Sequence, residues 1–237
     1  MAFMVSISPR RFAKALTIVV LCLTLASIAG QFSKYVLGHG GLFGFVRLFH
    51  TDSEGTIPAF YSSSTLLLCS ILLATIASAK KRGGDRYALH WRALAIIFLF
   101  LSLDEAASIH ESGAERLRSA LDAGGLLYFT WVIPGAAFVL LFVAAYLGFL
   151  ADLPAKTRRG FLVAGTTFVG GALGMEMVGG RFAESYGMQN MRYQMITTLE
   201  ELLEMLGIVI FIYALMSYMD THVGEVQVHI GEEKPGS

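Results

Sequence analysis

Residues 91–111 read WRALAIIFLFLSLDEAASIHE. The first part of this stretch, residues 91–103, has the composition of a membrane-spanning helix. Four ionisable residues follow it: Asp104, Glu105, His110 and Glu111. Ionisable groups are costly in hydrocarbon, so their default interpretation is functional, with partners elsewhere in the chain. Two later apolar segments offer such partners: Glu176, Glu200, Glu201 and Glu204.

The composition of the whole chain agrees with a membrane protein. Of its 237 residues 55% are hydrophobic and 15% are charged, and the mean hydropathy is +0.61. Soluble domains are far less apolar, so we expect an integral protein whose main partner is the lipid bilayer. The 18 basic and 18 acidic residues balance, so no excess of charge indicates nucleic acid as a partner.

Apolar stretches long enough to cross about 30 Å of hydrocarbon recur six times. They lie at about residues 13–33, 57–79, 91–111, 128–150, 159–180 and 194–219. The sequence therefore predicts an all-α fold, a polytopic helical bundle forming one transmembrane domain over residues 1–219, followed by a polar tail at 220–237. A basic run before the first stretch is also typical of a secretory signal, and cleavage of that stretch stays open.

Basic residues indicate the orientation, because they are enriched in cytoplasmic loops. They are twice as numerous at the two termini and in the second and fourth loops as in the other loops. We therefore expect both termini in the cytoplasm of a bacterium and a multi-pass protein in its inner membrane. The acidic residues then lie in the periplasmic half of the bundle, where Glu54 in the first loop is placed to cap them.

Helical geometry predicts which acidic residues share a face. In the third segment Asp104, Ser108 and Glu111 fall on one face with Glu105 at its edge, whereas His110 joins them only if the helix ends before it. In the sixth segment one polar stripe includes Glu200, Glu201 and Glu204 together with Tyr193, Gln194 and Thr197, and leaves out Thr198.

Small residues predict that the fifth segment is approached closely by another helix. Those on the face of Glu176 are Gly165, Ala172, Gly179 and Gly180. Such an approach would bring the Glu176 carboxyl group near its neighbours. The two cysteines, Cys22 and Cys69, lie within apolar runs and are expected to be buried and inert.

Several acidic groups at one depth need protons, arginines or a bound cation to offset their charge. Arg181 and Arg192 lie on the correct side to form ion pairs, but they are too few. Oxygen ligands with at most one or two histidines favour a divalent metal: Ca, Mg, Mn, Fe or Zn. The candidate metal ligands are Asp104, His110, Glu111, Glu176, Glu200 and Glu204. Glu105 and Glu201 are candidate general bases, and Glu54, Ser108 and Tyr193 are supporting residues.

Three functions fit this pattern. A metal-dependent enzyme acting on a lipid or amphipathic substrate is favoured slightly, because the acidic residues lie in one half of the membrane. A cation-coupled or proton-coupled transporter is the first alternative, and with six spans it would require a homodimer. A non-catalytic membrane subunit, whose polar cluster only holds helices together, is the second.

Four motifs carry a resemblance to a known group of proteins. They are LDE and HE at 103–111, YFTWVIP at 128–134, the glycines of 171–180 around Glu176, and LEELLEMLG at 199–207. In this combination the chain resembles uncharacterised bacterial polytopic membrane proteins loosely labelled multidrug transporters, over about residues 54–218. A weaker likeness, through Glu54 and the YSSS run at 61–64, is to membrane hydrolases of the alkaline ceramidase and adiponectin receptor type. Their late His-x-x-x-His zinc pair is absent here.

Overall fold

The computed structural model of the chain describes residues 8–39, 44–51, 53, 55–109, 117 and 123–223. These residues form helices and no strand, which confirms the all-α class for the described part of the chain. The helices are α1 (Pro9–Tyr35), α2 (Phe45–Leu48), α3 (Ile57–Arg82), α4 (Ala88–Ala107), a 3-10 turn (Gly125–Leu127), α5 (Val132–Asp152), α6 (Ala155–Val169), a π-helix (Gly170–Met175), α7 (Glu176–Tyr186) and α8 (Met191–His222).

Five helical stretches are long and apolar enough to cross a membrane. They are Pro9–Tyr35, Ile57–Arg82, Val132–Asp152, Ala155–Tyr186 and Met191–His222. The fourth of these is α6, the π-helix and α7 in one continuous run. Multi-pass membrane character is therefore plain in the fold.

Helix α4 is the remaining candidate span. Its 20 residues measure about 30 Å, which is enough to cross the hydrocarbon. Every 18-residue portion of it, however, includes Arg92, Asp104 and Glu105. These charges set α4 apart from the five apolar stretches, and a sixth span stays a prediction.

Two helix ends differ from the approximate limits of the predicted segments. Helix α4 ends at Ala107, and Ser108 follows it in a left-handed conformation with φ 43° and ψ 48°, so Ser108 does not continue the face of Asp104. Serine is a weak helix former because its hydroxyl competes for backbone hydrogen bonds. At the other boundary α8 continues to His222, three residues into the predicted tail, and residues 224–237 lie outside the described part.

Helix α8 is the centre of the bundle. It packs against α1, α3, α6, the π-helix and α7, and so it buries side chains in several directions. Thr198 is 4% exposed and Thr197 is 3% exposed. Thr198, which lies outside the predicted polar stripe, is thus buried as well, because neighbouring helices cover more than one face of α8.

Aromatic contacts fix how α4 lies against α8. Trp91 stacks on Tyr218 with ring centroids 5.0 Å apart, and Phe98 stacks on Phe211 at 4.7 Å. Seven residues forward along α4 thus correspond to seven residues back along α8, so the two helices are antiparallel. One further step of seven brings Glu105 to the level of Glu204.

Side-chain hydrogen bonds join α3 to α4 at two levels. The Ser63 hydroxyl donates to the Ser102 carbonyl oxygen at 2.8 Å, and the Ser102 hydroxyl donates to the Ser63 carbonyl oxygen at 2.8 Å. Further along, the Ser70 hydroxyl donates to the carbonyl oxygen of Ala95 at 2.7 Å. Small polar residues can bring helices together in a membrane, where apolar burial provides little driving force between them.

Glycine lets the π-helix and α6 approach α8 closely. A Cβ atom on Gly171 would lie 2.8 Å from the Glu200 carbonyl oxygen and 2.9 Å from Glu204 Cγ. A Cβ atom on Gly207 would lie 2.8 Å from the Phe168 backbone nitrogen. No such approach occurs at Gly165, which has nothing within 4 Å of its Cβ position.

The prediction that Gly165 shares the face of Glu176 is therefore wrong, because the π-helix intervenes. A π-turn contains more residues than an α-turn, so the faces before and after it are out of phase. The prediction for the cysteines holds for Cys69, which is buried, and is wrong for Cys22, which is exposed on the outer surface of α1.

We expect Trp91→Ala to lower the free energy of unfolding by about 3–5 kcal/mol, because it removes a buried aromatic side chain and leaves a cavity. Trp91 is 1% exposed and also meets Phe149 edge-on at 5.0 Å. Unfolding in detergent by a graded denaturant measures the change. Phe100→Ala on the same helix is the control, because Phe100 is 55% exposed; an equal loss there would contradict the packing described.

We expect Gly171→Ala to destabilise the bundle by about 1–3 kcal/mol, because the added methyl group forces two backbones apart. Gly165→Ala should leave stability unchanged or raise it by up to about 1 kcal/mol through its better helix propensity. The same denaturation assay compares the two variants. Equal behaviour of Gly171→Ala and Gly165→Ala would show that no close approach exists at Gly171.

Candidate functional site

The π-helix ends directly before the first acidic residue of the site. Glu176 is the first residue of α7, and its Oε1 accepts a hydrogen bond of 2.8 Å from Trp131 Nε1. Trp131 immediately precedes α5, so this bond ties the start of α5 to the start of α7. π-turns often occur at functional positions in helices.

Trp131 had no predicted role. The signal was present, since an indole N–H within an apolar segment needs an acceptor when it is buried. The π-helix was missed as well, because the run GGALGM has no composition that distinguishes a π-turn from an α-turn.

Glu200 meets Glu176 inside the bundle. Glu200 is 8% exposed, and its carboxyl group is within hydrogen-bonding reach of the Glu176 carboxyl group. It also interacts electrostatically with Glu201 and Glu204. Two of the acidic residues predicted to converge from separate helices are thus neighbours.

Glu204 connects this pair to α4. Its carboxyl group interacts electrostatically with Glu105, Glu176 and Asp104, in agreement with the antiparallel register of α4 and α8. Its Cγ lies against the backbone of Gly171, so the close helix contact also fixes the side chain. Acidic groups of α4, α7 and α8 are therefore within electrostatic range of one another.

The other predicted site residues have different positions. Tyr193 is 4% exposed and lies two turns before Glu200 on α8, whereas Ser108 lies beyond the end of α4. Glu54, His110 and Glu111 lie outside the described residues. The described part of the prediction thus reduces to Asp104, Glu105, Glu176 and the three glutamates of α8.

The two arginines predicted to offset the acidic charge, Arg181 and Arg192, form no ion pair with Glu176 or Glu200 among the described residues. Both arginines are exposed. The two ion pairs in the described residues are Lys80–Asp85 and Arg86–Asp152. Both lie at the other end of the bundle, where α3 ends, α4 begins and α5 ends.

Asp85, in the connection between α3 and α4, shows what a paired carboxylate looks like in this protein. Burial alone would raise the pKa of Asp85. The hydrogen bond from the Tyr87 backbone N–H at 2.8 Å and the ion pair with Lys80 at 3.0 Å nevertheless lower it below its ordinary value. Asp85 is therefore ionised and satisfied at neutral pH, whereas no described lysine or arginine forms an ion pair with Glu200.

Two neighbouring carboxyl groups can hold a proton between them. Among the described residues, no three His, Cys, Asp or Glu side chains are placed so that they could hold a metal ion. A hydrogen bond between two carboxyl groups requires a proton on one of them, because two carboxylates have no donor. The pair Glu176 and Glu200 is thus chemically suited to hold a proton and to release it.

Comparison with known proteins identifies the family. No curated protein and no solved structure matches the chain. A family model described as a domain of unknown function, DUF8692, matches residues 13–219, which include all of the described helices except the ends of α1 and α8. The chain therefore belongs to the DUF8692 family.

Proposed function

We propose that this protein is an inner-membrane transporter in which buried carboxyl groups exchange protons for a cation carried by an amphipathic molecule. One observation carries the proposal: the carboxyl groups of Glu176 and Glu200, from different helices, lie within hydrogen-bonding reach inside the bundle. Ionisable groups buried in a membrane protein commonly mark proton or ion pathways.

The exchange follows from charge balance. When Glu176 and Glu200 share a proton, the pair carries one negative charge fewer than two carboxylates. A cation that reaches the pair favours the ionised form of both groups and displaces the proton. Glu204 and Glu105 lie within electrostatic range and strengthen the attraction for a cation. Proton release and cation binding are then thermodynamically coupled.

A metal-dependent enzyme is the second candidate. The observation in its favour is that Asp104 and Glu105, six and five residues before His110, interact with Glu204 at the end of α4. His110 and Glu111, which the metal hypothesis also uses, lie outside the described residues. A divalent cation held there by oxygen ligands would activate water for attack on an amphipathic substrate.

Proton release distinguishes these candidates. Tetraphenylphosphonium, a lipophilic cation, is added to purified protein in weakly buffered detergent containing a pH indicator. We expect about one proton to be released per cation bound, as for other ligands that displace protons. Glu176→Gln and Glu200→Gln should abolish the release, because glutamine keeps the shape of the side chain but cannot ionise.

Asp220→Asn is the matched control, since Asp220 is an exposed acidic residue at the far end of the same helix. Proton release that is unchanged in Glu200→Gln would exclude the proposed exchange. Release on addition of MnCl₂ but not tetraphenylphosphonium would favour the metal-dependent enzyme. A loss of stability in Glu200→Gln, with no release in the wild type, would favour the purely structural role.

The proposed orientation, with both termini in the cytoplasm, has its own test. In a Cys22→Ser background, Gln189→Cys and Lys81→Cys each place a thiol at an exposed position. A maleimide that cannot cross membranes should label Gln189→Cys in intact bacteria and Lys81→Cys only after lysis. The opposite pattern would show that both termini lie in the periplasm.

A transporter with six spans would also act as a homodimer, which sedimentation in detergent can measure.

A further inference from the structure

A polar cavity lies at the end of the bundle where α1 ends and α8 begins. It has a volume of about 400 Å³. The last turn of α1, helix α2, the connection to α3 and the first turn of α8 enclose it. We call the acidic residues described above the acid site: Asp104, Glu105, Glu176, Glu200, Glu201 and Glu204. None of them lines this cavity, which we call the cationic pocket.

Positive charge dominates the cationic pocket. Lys34 and Arg47 line it together with His50, and no acidic side chain lines it in the described part of the chain. Neither Lys34 nor Arg47 forms an ion pair with a described carboxylate. Asp52 and Glu54, which flank Ser53 in the sequence, lie outside the described residues. Two cations at one cavity attract an anion, which would offset their mutual repulsion.

Hydrogen-bond donors accompany these charges. The Tyr35 hydroxyl is buried and has no hydrogen-bond partner among the described residues, although Tyr35 lines the pocket. Because the hydroxyl itself is buried, it is the rest of Tyr35 that lines the pocket. Tyr193 and Gln194, which are 4% and 5% exposed, line the same pocket from α8.

Apolar side chains beside the pocket face outward. Phe32, Val36 and Leu37 at the end of α1 are 47%, 55% and 56% exposed, and Leu48 beside Arg47 is 48% exposed. The end of an apolar span marks the depth of the lipid head groups. A molecule with a phosphate group in the pocket would thus have hydrocarbon-facing residues directly beside it.

We propose that the cationic pocket binds a phosphate group, and that the adjacent apolar residues select a phosphate carried by a phospholipid. Arg47 and Lys34 would pair with the phosphate oxygens, since guanidinium and ammonium groups bind phosphate strongly. His50, which also lines the pocket, would lie beside the phosphate group. Phosphate binding at the pocket does not rest on proton exchange at Glu176 and Glu200, so either proposal can fail without the other.

Native mass spectrometry of the delipidated full chain tests the proposal with four probes. These are dioleoylphosphatidylglycerol, dihexanoylphosphatidylglycerol, inorganic phosphate, and dioleoylglycerol, which has the same chains without phosphate. We expect one dioleoylphosphatidylglycerol molecule to be retained after the detergent is removed, with weaker binding of the short-chain lipid and of phosphate. Dioleoylglycerol should be lost with the detergent.

Variants then locate the site. Lys34→Gln and Arg47→Gln should each weaken binding on the order of tenfold, the effect of losing one hydrogen bond to a charged group. Lys34→Arg keeps the positive charge and should retain binding, so it separates a loss of charge from a loss of folding. Arg192→Gln is the matched control, because Arg192 is an exposed cation in the first turn of α8 and does not line the pocket.

Two outcomes would overturn the proposal. Retention of dioleoylglycerol as strong as that of dioleoylphosphatidylglycerol would show that phosphate is not recognised. Equal weakening by Arg192→Gln and Arg47→Gln would show that general surface charge, and not the pocket, attracts the lipid. If inorganic phosphate binds as tightly as the lipid, the selection of a lipid is wrong and the ligand is a soluble phosphate.

Discussion

The contact between Gly171 and α8 determines where the acidic residues meet. The backbone of the π-helix lies so close to Glu200 and Glu204 that even one methyl group at position 171 would collide with them. Helix α7 begins only a few residues later, so Glu176 enters the bundle beside Glu200. The Trp131 bond to Glu176 then adds the start of α5 to the same place. One close backbone approach thus organises residues from three helices.

The distribution of basic residues explains why this place differs from the rest of the bundle. At the opposite end, lysine and arginine pair with Asp85 and Asp152, so those acidic groups are satisfied within the chain. The described cations near Glu200 are exposed arginines that reach no carboxylate. Burial of several carboxyl groups near one another disfavours their ionised forms and favours protons or a bound cation. Among the described residues, Glu176 and Glu200 therefore differ from Asp85 and Asp152 in having no ion pair.

Much of the fold follows from the sequence, because membrane-spanning helices are encoded by long apolar runs. The helical spacing also predicted that Glu200, Glu201 and Glu204 would share a region with Glu176. It could not reveal the π-turn, since the same glycine-rich run is compatible with an α-helix. For that reason Gly165 was expected on the face of Glu176, whereas the close approach to α8 occurs at Gly171. Trp131 was missed because its role depends on a tertiary contact. The end of α4 at Ala107 depends on the local conformation of Ser108, which spacing does not encode.

The acid site and the cationic pocket place opposite charges along one helix. Gln194 lines the pocket and Glu200 follows six residues later, which is about 9 Å along the axis of α8. That separation is too large for Lys34 or Arg47 to form an ion pair with Glu200, so each region needs its own counter-ion. An anion in the pocket and a cation at the acid site would attract each other by about 1–2 kcal/mol at an effective dielectric constant near 20, less where salt screens them. Because such coupling is reciprocal, a lipid phosphate in the pocket would tighten cation binding at the acid site to the same extent that the cation tightens binding of the lipid.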